Sequence, residues 1–116
     1  MVGNADIVGL LLDAGANINH LSNGRWSALM NASSVGSAEA VRILVERGAV
    51  IDERNLDGRS SLMIASRFGW PEVVEVLLAA GANPQLTSIN GETPLSLAKT
   101  EQIAQMIRDA SATTRQ

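Results

Sequence analysis

Three Gly-Ala pairs, Gly15-Ala16, Gly48-Ala49 and Gly81-Ala82, stand 33 residues apart in both intervals. A fixed period of this size constrains a chain more than its composition does, because it is the signature of stacked supersecondary units. The same period relates Gly3, Gly36 and Gly69, then Leu29, Leu62 and Leu95, then Ala32, Ala65 and Ala98. Ahead of each Gly-Ala pair lies an apolar block: Ile7, Val8, Leu10, Leu11 and Leu12, then Val41, Ile43, Leu44 and Val45, then Val73, Val74, Val76, Leu77 and Leu78. Five columns in phase are not coincidence.

Each unit reads as two short helices and a loop. Segments 27–35, 60–68 and 93–100 predict first helices of about two turns. Ser27, Ser60 and Thr93 stand at their N-caps, and Pro94 takes a first helical position, where its missing N–H is no loss. Gly36 and Gly69 are placed to end the first helices as left-handed caps. Asp6, Glu39 and Glu72 then fall in the first turns of second helices, where negative charge suits the helix dipole. Pro71 is again early in its helix, and Gly15, Gly48 and Gly81 close the second helices. Extended stretches with Ile18 and Ile51 lead into Asn23-Gly24, Asp57-Gly58 and Asn90-Gly91, dipeptides that favour tight turns.

Helices this short are not stable alone, since isolated ones need about 12–15 residues to be even marginal. Stability must come from stacking unit on unit. Composition agrees: 46% of residues are apolar but only 3% aromatic, which suits thin, closely packed helical layers. The expected fold is an all-α solenoid of about three and a half helix-turn-helix units with hairpin-like loops. It forms one domain over 1–112, in units of about 1–20, 21–53, 54–86 and 87–112, with a disordered tail at 113–116.

Thr93-Pro94-Leu95, the Asp57-Gly58 and Asn90-Gly91 turns, and the Gly-Ala-Asn runs ending at Asn17 and Asn83 together resemble the ankyrin repeat family. The resemblance spans about residues 3 to 110. It departs from the family where a structural histidine is usual, since Met30, Met63 and Ser96 stand there and other contacts must tie the loops. Gly24 comes one residue early, so Arg25 occupies the glycine column and an altered first hairpin is expected. At the N-terminus only a second helix, about 4–14, is present, which leaves one side of Ile7, Val8 and Leu11 without its usual cover. That points to a piece of a longer array or, failing that, to self-association through the uncovered helix. At the other end Ile103 matches Val73 at a spacing of 30, so the link between helices is about three residues shorter. Lys99, Glu101, Gln102, Gln105 and Arg108 give the last unit a more polar, cap-like character, and fraying is expected from Ala110 onward.

Signals for chemistry are few. Twelve acidic against nine basic residues, a net charge of −3, offer no positive field for a phosphate backbone, so nucleic acid is not expected as a partner. Without cysteine there is no thiolate ligand or nucleophile. His20 is the one histidine and has no companion ligands nearby in sequence, so it reads as a solvated loop residue, and neither a metal, a cofactor nor a catalytic group is expected. Asp52 shares a column with Asn19 and Gln85, so the Asp52-Glu53 pair reads as part of the repeat framework. No signal peptide or membrane-length apolar run is seen, which makes an intracellular location the working expectation.

The resemblance implies a protein-binding module, whether adaptor, scaffold or inhibitor, that holds a partner segment on a concave face of hairpin tips and first helices. Columns that the repeat leaves free supply the candidate contacts: Asn23, Arg25 and Trp26; Leu56, Asp57 and Arg59; Arg67; Ile89, Asn90 and Glu92. Trp26 leads them, because Trp and Arg are enriched among binding hot spots; its alternative is to fold back over the altered turn. Phe68 and Trp70 read as packing residues, Trp70 against the turn between helices. Two other roles stay open: a self-associating fragment of a longer array, and a substrate-recruiting segment of a larger enzyme or effector.

Overall fold

A computed structural model describes residues 18–114. The expected helix over 4–14, its Ile7, Val8 and Leu11 cluster, the first Gly-Ala pair and any self-association through them lie outside the described residues, as do residues 115 and 116. Within the described span the helices are α1 (Ala28–Val35), α2 (Ala38–Glu46), α3 (Ser61–Phe68), α4 (Pro71–Ala79), α5 (Pro94–Leu97) and α6 (Glu101–Thr114). First helices stack on first helices, α1 on α3 and α3 on α5. Second helices do the same, α2 on α4 and α4 on α6.

The helix ends form where local chemistry puts them. Ser27 Oγ accepts from the Met30 amide at 3.2 Å and Ser60 Oγ from the Met63 amide at 3.3 Å. At α5 the cap is reciprocal: the Ser96 amide donates to Thr93 Oγ1 at 3.0 Å and the Thr93 amide to Ser96 Oγ at 2.8 Å. Ser96 thereby replaces the missing histidine with a cap bond. Met30 and Met63, in the same column, are fully buried and fill the space with apolar volume.

The core runs along the stack. Leu29, Val41, Leu44, Leu62, Val73, Leu77, Ile103 and Ile107 belong to one buried cluster, with Ala32, Ala40 and Ala65 letting the helices approach. Each fully buried Leu or Ile contributes about 1.5–3 kcal/mol of transfer free energy. Leu29 and Leu62 are 1% exposed, whereas Leu95 in the same column is 41% exposed.

Side chains tie unit to unit. Asn19 Oδ1 accepts from the Val50 amide at 2.8 Å, and Asp52 Oδ1 from the Asn83 amide at 2.9 Å, each 31 residues on. Asp52 is thus the framework residue that its column implied. Where sequence read a two-turn helix over 93–100, α5 has four residues. The link expected to be shorter is not: it spans residues 98–100, against 36–37 and 69–70 in the units before, and the helix gives up the missing residues instead. No glycine ends it; Ala98 turns extended (φ −55°, ψ 120°), and the Lys99 amide donates to the Ser66 carbonyl at 3.0 Å. Nor does the chain fray at Ala110, since α6 runs on to Thr114. Ala110 and Ala112 are strong helix formers, and Arg108 reaches Glu101 along the exposed side at 3.2 Å.

The turn between α1 and α2 shows how units interlock. Gly36 is left-handed (φ 80°), and the Trp70 ring lies so close that a Cβ there would stand 2.6–2.9 Å from three ring atoms. Trp70 Nε1 donates to the Ser34 carbonyl at 3.0 Å. Trp70 therefore packs on an inter-helix turn, as expected, and the turn is that of the preceding unit. Gly48 has a similar φ, 94°, with nothing within 4 Å of an added Cβ. Gly48→Ala should lose only the backbone preference, about 1–2 kcal/mol; Gly36→Ala should lose that and displace the indole, about 2–4 kcal/mol. Urea unfolding of both variants tests this, and equal losses would show that Trp70 does not depend on Gly36.

Candidate interaction surface

The hairpins are built alike. The amides of Ser22, Asn55 and Ser88 donate to the carbonyls of Trp26, Arg59 and Glu92 at 2.8, 3.0 and 2.8 Å. Within the second, Asn55 Oδ1 accepts from the amides of Asp57 and Arg59, at 2.9 and 3.0 Å; within the third, Ser88 Oγ accepts from those of Asn90 and Glu92, at 3.2 and 3.1 Å. Asn55 and Ser88 thus supply the ties that the missing histidines do not. The signal for them in sequence is a short polar residue three ahead of Gly58 and of Gly91.

Neighbouring hairpins are stitched by backbone. The Leu56 amide donates to the Gly24 carbonyl at 2.9 Å, and the Ile89 amide to the Asp57 carbonyl at 3.0 Å, one unit on. Gly58 permits this approach: a Cβ there would lie 2.9 Å from the Ile89 nitrogen. Arg25 stands in the column of Gly58 and takes a positive φ of 62°, the one non-glycine residue among those described to do so. The first hairpin is altered as expected, and Arg25 Nη2 reaches Glu53 at 3.3 Å.

The ten candidates are not placed alike. Leu56 and Ile89 project from adjacent tips, 63% and 75% exposed, with Asn23, Asp57 and Asn90 exposed beside them. Arg59 and Glu92, one unit apart, form a two-pronged ion pair: Nε to Oε1 and Nη2 to Oε2, both 3.1 Å. Arg67, at the end of α3, is exposed with its guanidinium 5.8 Å from the Phe68 ring centroid. It is near enough to Glu92 to favour the ionised carboxylate. Arg25 is drawn instead toward Glu53. Trp26 is half-buried, its ring so near Gly24 that an added Cβ there would meet Cδ1 at 3.2 Å, which is the folded-back alternative. Phe68, read as a packing residue, is 43% exposed. It ends α3 at a position where no neighbouring helix covers it fully.

His20 is exposed ahead of the first hairpin. Among the described residues, no group of three His, Cys, Asp or Glu side chains is placed to hold a metal ion, and no helix is long and apolar enough to cross a membrane. A shallow groove of about 460 Å³ lies between α4 and α6, lined by residues such as Leu78, Pro84 and Met106. Glu75 is its one ionisable lining residue, so it lacks the convergent polar groups of a small-molecule site.

A family model described as Ankyrin repeats (3 copies) matches residues 1–88 of the chain. No curated protein matches it.

The Arg59–Glu92 pair carries a pH signature. Hydrogen bonds from Arg59 and then Ser88 hold the Glu92 carboxyl below the usual carboxylate range, and the bond to Glu92 raises Arg59. A depressed carboxylate stabilises the fold above its unfolded pKa, and that contribution is lost as pH falls through its folded pKa. Glu92→Gln should therefore reduce stability at neutral pH, and the gap to the parent should close on acidification. Thermal melts from neutral to acid pH measure it; a gap constant with pH would mean that the pair's charge adds nothing.

Proposed function

Because the chain belongs to the ankyrin repeat family, we propose that it works by holding a segment of another protein against its hairpin tips and first helices. Ankyrin repeats generally mediate protein–protein interaction and are typically non-catalytic. The observation that carries the placement is the row of tips. Leu56 and Ile89 occupy one column in successive units and stand in solvent. Each belongs to a hairpin closed by its own bonds and stitched to the hairpin before it. Nothing in the packing of the repeat requires an apolar residue there, and burying each against a partner would contribute about 1.5–3 kcal/mol.

The remaining candidates complete the face. Asn23, Asp57 and Asn90 offer polar contacts at the tips, Arg25 and Arg67 offer charge, and Trp26 offers a half-buried indole. Arg59 and Glu92 hold two neighbouring tips in register. Because the array is braced before a partner arrives, little loop entropy is lost on association.

A partner captured on the immobilised chain and identified by mass spectrometry provides the test. Hydroxyl-radical footprinting of the complex should protect Asn23, Trp26, Leu56 and Ile89 and leave Arg42, Glu46 and Glu75 on the second helices reactive. Leu56→Ser with Ile89→Ser should weaken binding by about tenfold or more with an unchanged melting temperature. Protection confined to the second helices would overturn the placement.

A further inference from the structure

The first-helix face has a second exposed apolar group, at the opposite end from the tips. Val35 and Phe68 share a column just ahead of the inter-helix glycines, and both are exposed. Trp70 lies over Gly36 beside Val35, still partly in solvent, and is fixed by its bond to the Ser34 carbonyl. At the next turn Lys99 takes the equivalent place: its aliphatic stem lies over Gly69, with Cδ 2.7 Å from where a Cβ would stand, and its amide is tied to Ser66. The edge therefore runs from Val35 and Trp70 through Phe68 and Arg67 to Lys99.

Among the described residues neither Arg67 nor Lys99 makes an ion pair. Glu92 lies near Arg67, but Arg59 occupies both of its oxygens and Ser88 Oγ donates to Oε1 as well. α1 carries no charged residue, and Arg67 is the one charge on α3. Aromatic side chains and Arg are enriched at protein interfaces, and a guanidinium already held over a ring loses little freedom on meeting a carboxylate.

We propose that this edge binds an acidic segment of the partner protein, with Arg67 and Lys99 meeting its carboxylates and Val35, Phe68 and Trp70 its apolar side chains. The proposal rests on the protein-binding reading above and names the partner's chemistry. An extended polyanion or an anionic bilayer fits less well. Glu39 and Glu72 begin α2 and α4 just beyond the same turns, and the chain is net negative. A broad anionic surface would meet those carboxylates, whereas a short segment along the edge avoids them.

Selection of a random-peptide phage library on the immobilised protein, then fluorescence polarisation with the enriched peptides, tests this. The expected peptides carry Asp or Glu beside aliphatic or aromatic residues and bind more weakly as salt rises. Arg67→Gln with Lys99→Gln, which keeps the stems that pack, should weaken them about tenfold or more. Peptides without an acidic bias, or equal affinity for that variant, would overturn the proposal. So would sedimentation of the protein with phosphatidylserine vesicles in place of peptide binding. Peptides lost with Leu56→Ser and Ile89→Ser but indifferent to the Gln variant would sink only this inference. Indifference to both, or no enrichment at all, counts against both readings.

Discussion

Everything in this molecule depends on contact between one unit and the next. Helices of eight or nine residues fall short of the length at which an isolated helix holds together in water. Leu29 and Leu62 become interior only because another first helix lies on each, and Leu95 in the same column shows what happens where that cover is thin. The polar ties obey the same rule. Asn19 and Asp52 each cap an amide 31 residues on, and each hairpin donates a backbone bond to the one before it. Stability and tip geometry are therefore one property: a change that loosens the stack also moves the face.

The period made most of the architecture legible. A column that repeats must serve the unit's own backbone, which is why caps at Ser27, Ser60 and Thr93 and left-handed turns at Gly36 and Gly69 could be placed from residue type alone. The shortened last unit was harder. Its spacing revealed missing residues, but not that the helix would give them up by ending at Leu97. Length alone does not say whether helix or linker absorbs a deletion; here the Lys99–Ser66 bond and the lack of a capping glycine decide it.

The surface was less legible, for a physical reason. The proposed contact columns are those the repeat leaves free, so periodicity singles out the positions and says nothing of where their side chains turn. Trp26 turns back over Gly24, where the displaced glycine leaves room for the indole, and Phe68 stays out where packing was expected. Arg59 and Glu92, expected as separate contacts, pair with each other. A signal for this existed, since opposite charges one period apart sit on adjacent units at equivalent positions and are within reach of each other.

That pairing changes what the face offers. Counted by residue, it carries charges of both signs and looks undirected. Once Glu92 is saturated by Arg59 and Ser88, Arg25 is drawn to Glu53 and Arg54 donates to the Thr87 carbonyl, Arg67 and Lys99 are the cations at the inter-helix turns that make no ion pair among the described residues. Internal pairs between stacked units thus do two things. They hold neighbouring tips in register, and they cancel charge along most of the face so that what remains is localised. The apolar exposure is divided in the same way, with Leu56 and Ile89 at the tips and Val35, Phe68 and Trp70 at the inter-helix turns. On the proposed reading, a stack with two separated apolar groups, one beside Asp57 at the tips and the other flanked by cations, would discriminate a partner by the spacing of its side chains as well as by their chemistry, because neither group can shift along the array to accommodate a mismatch.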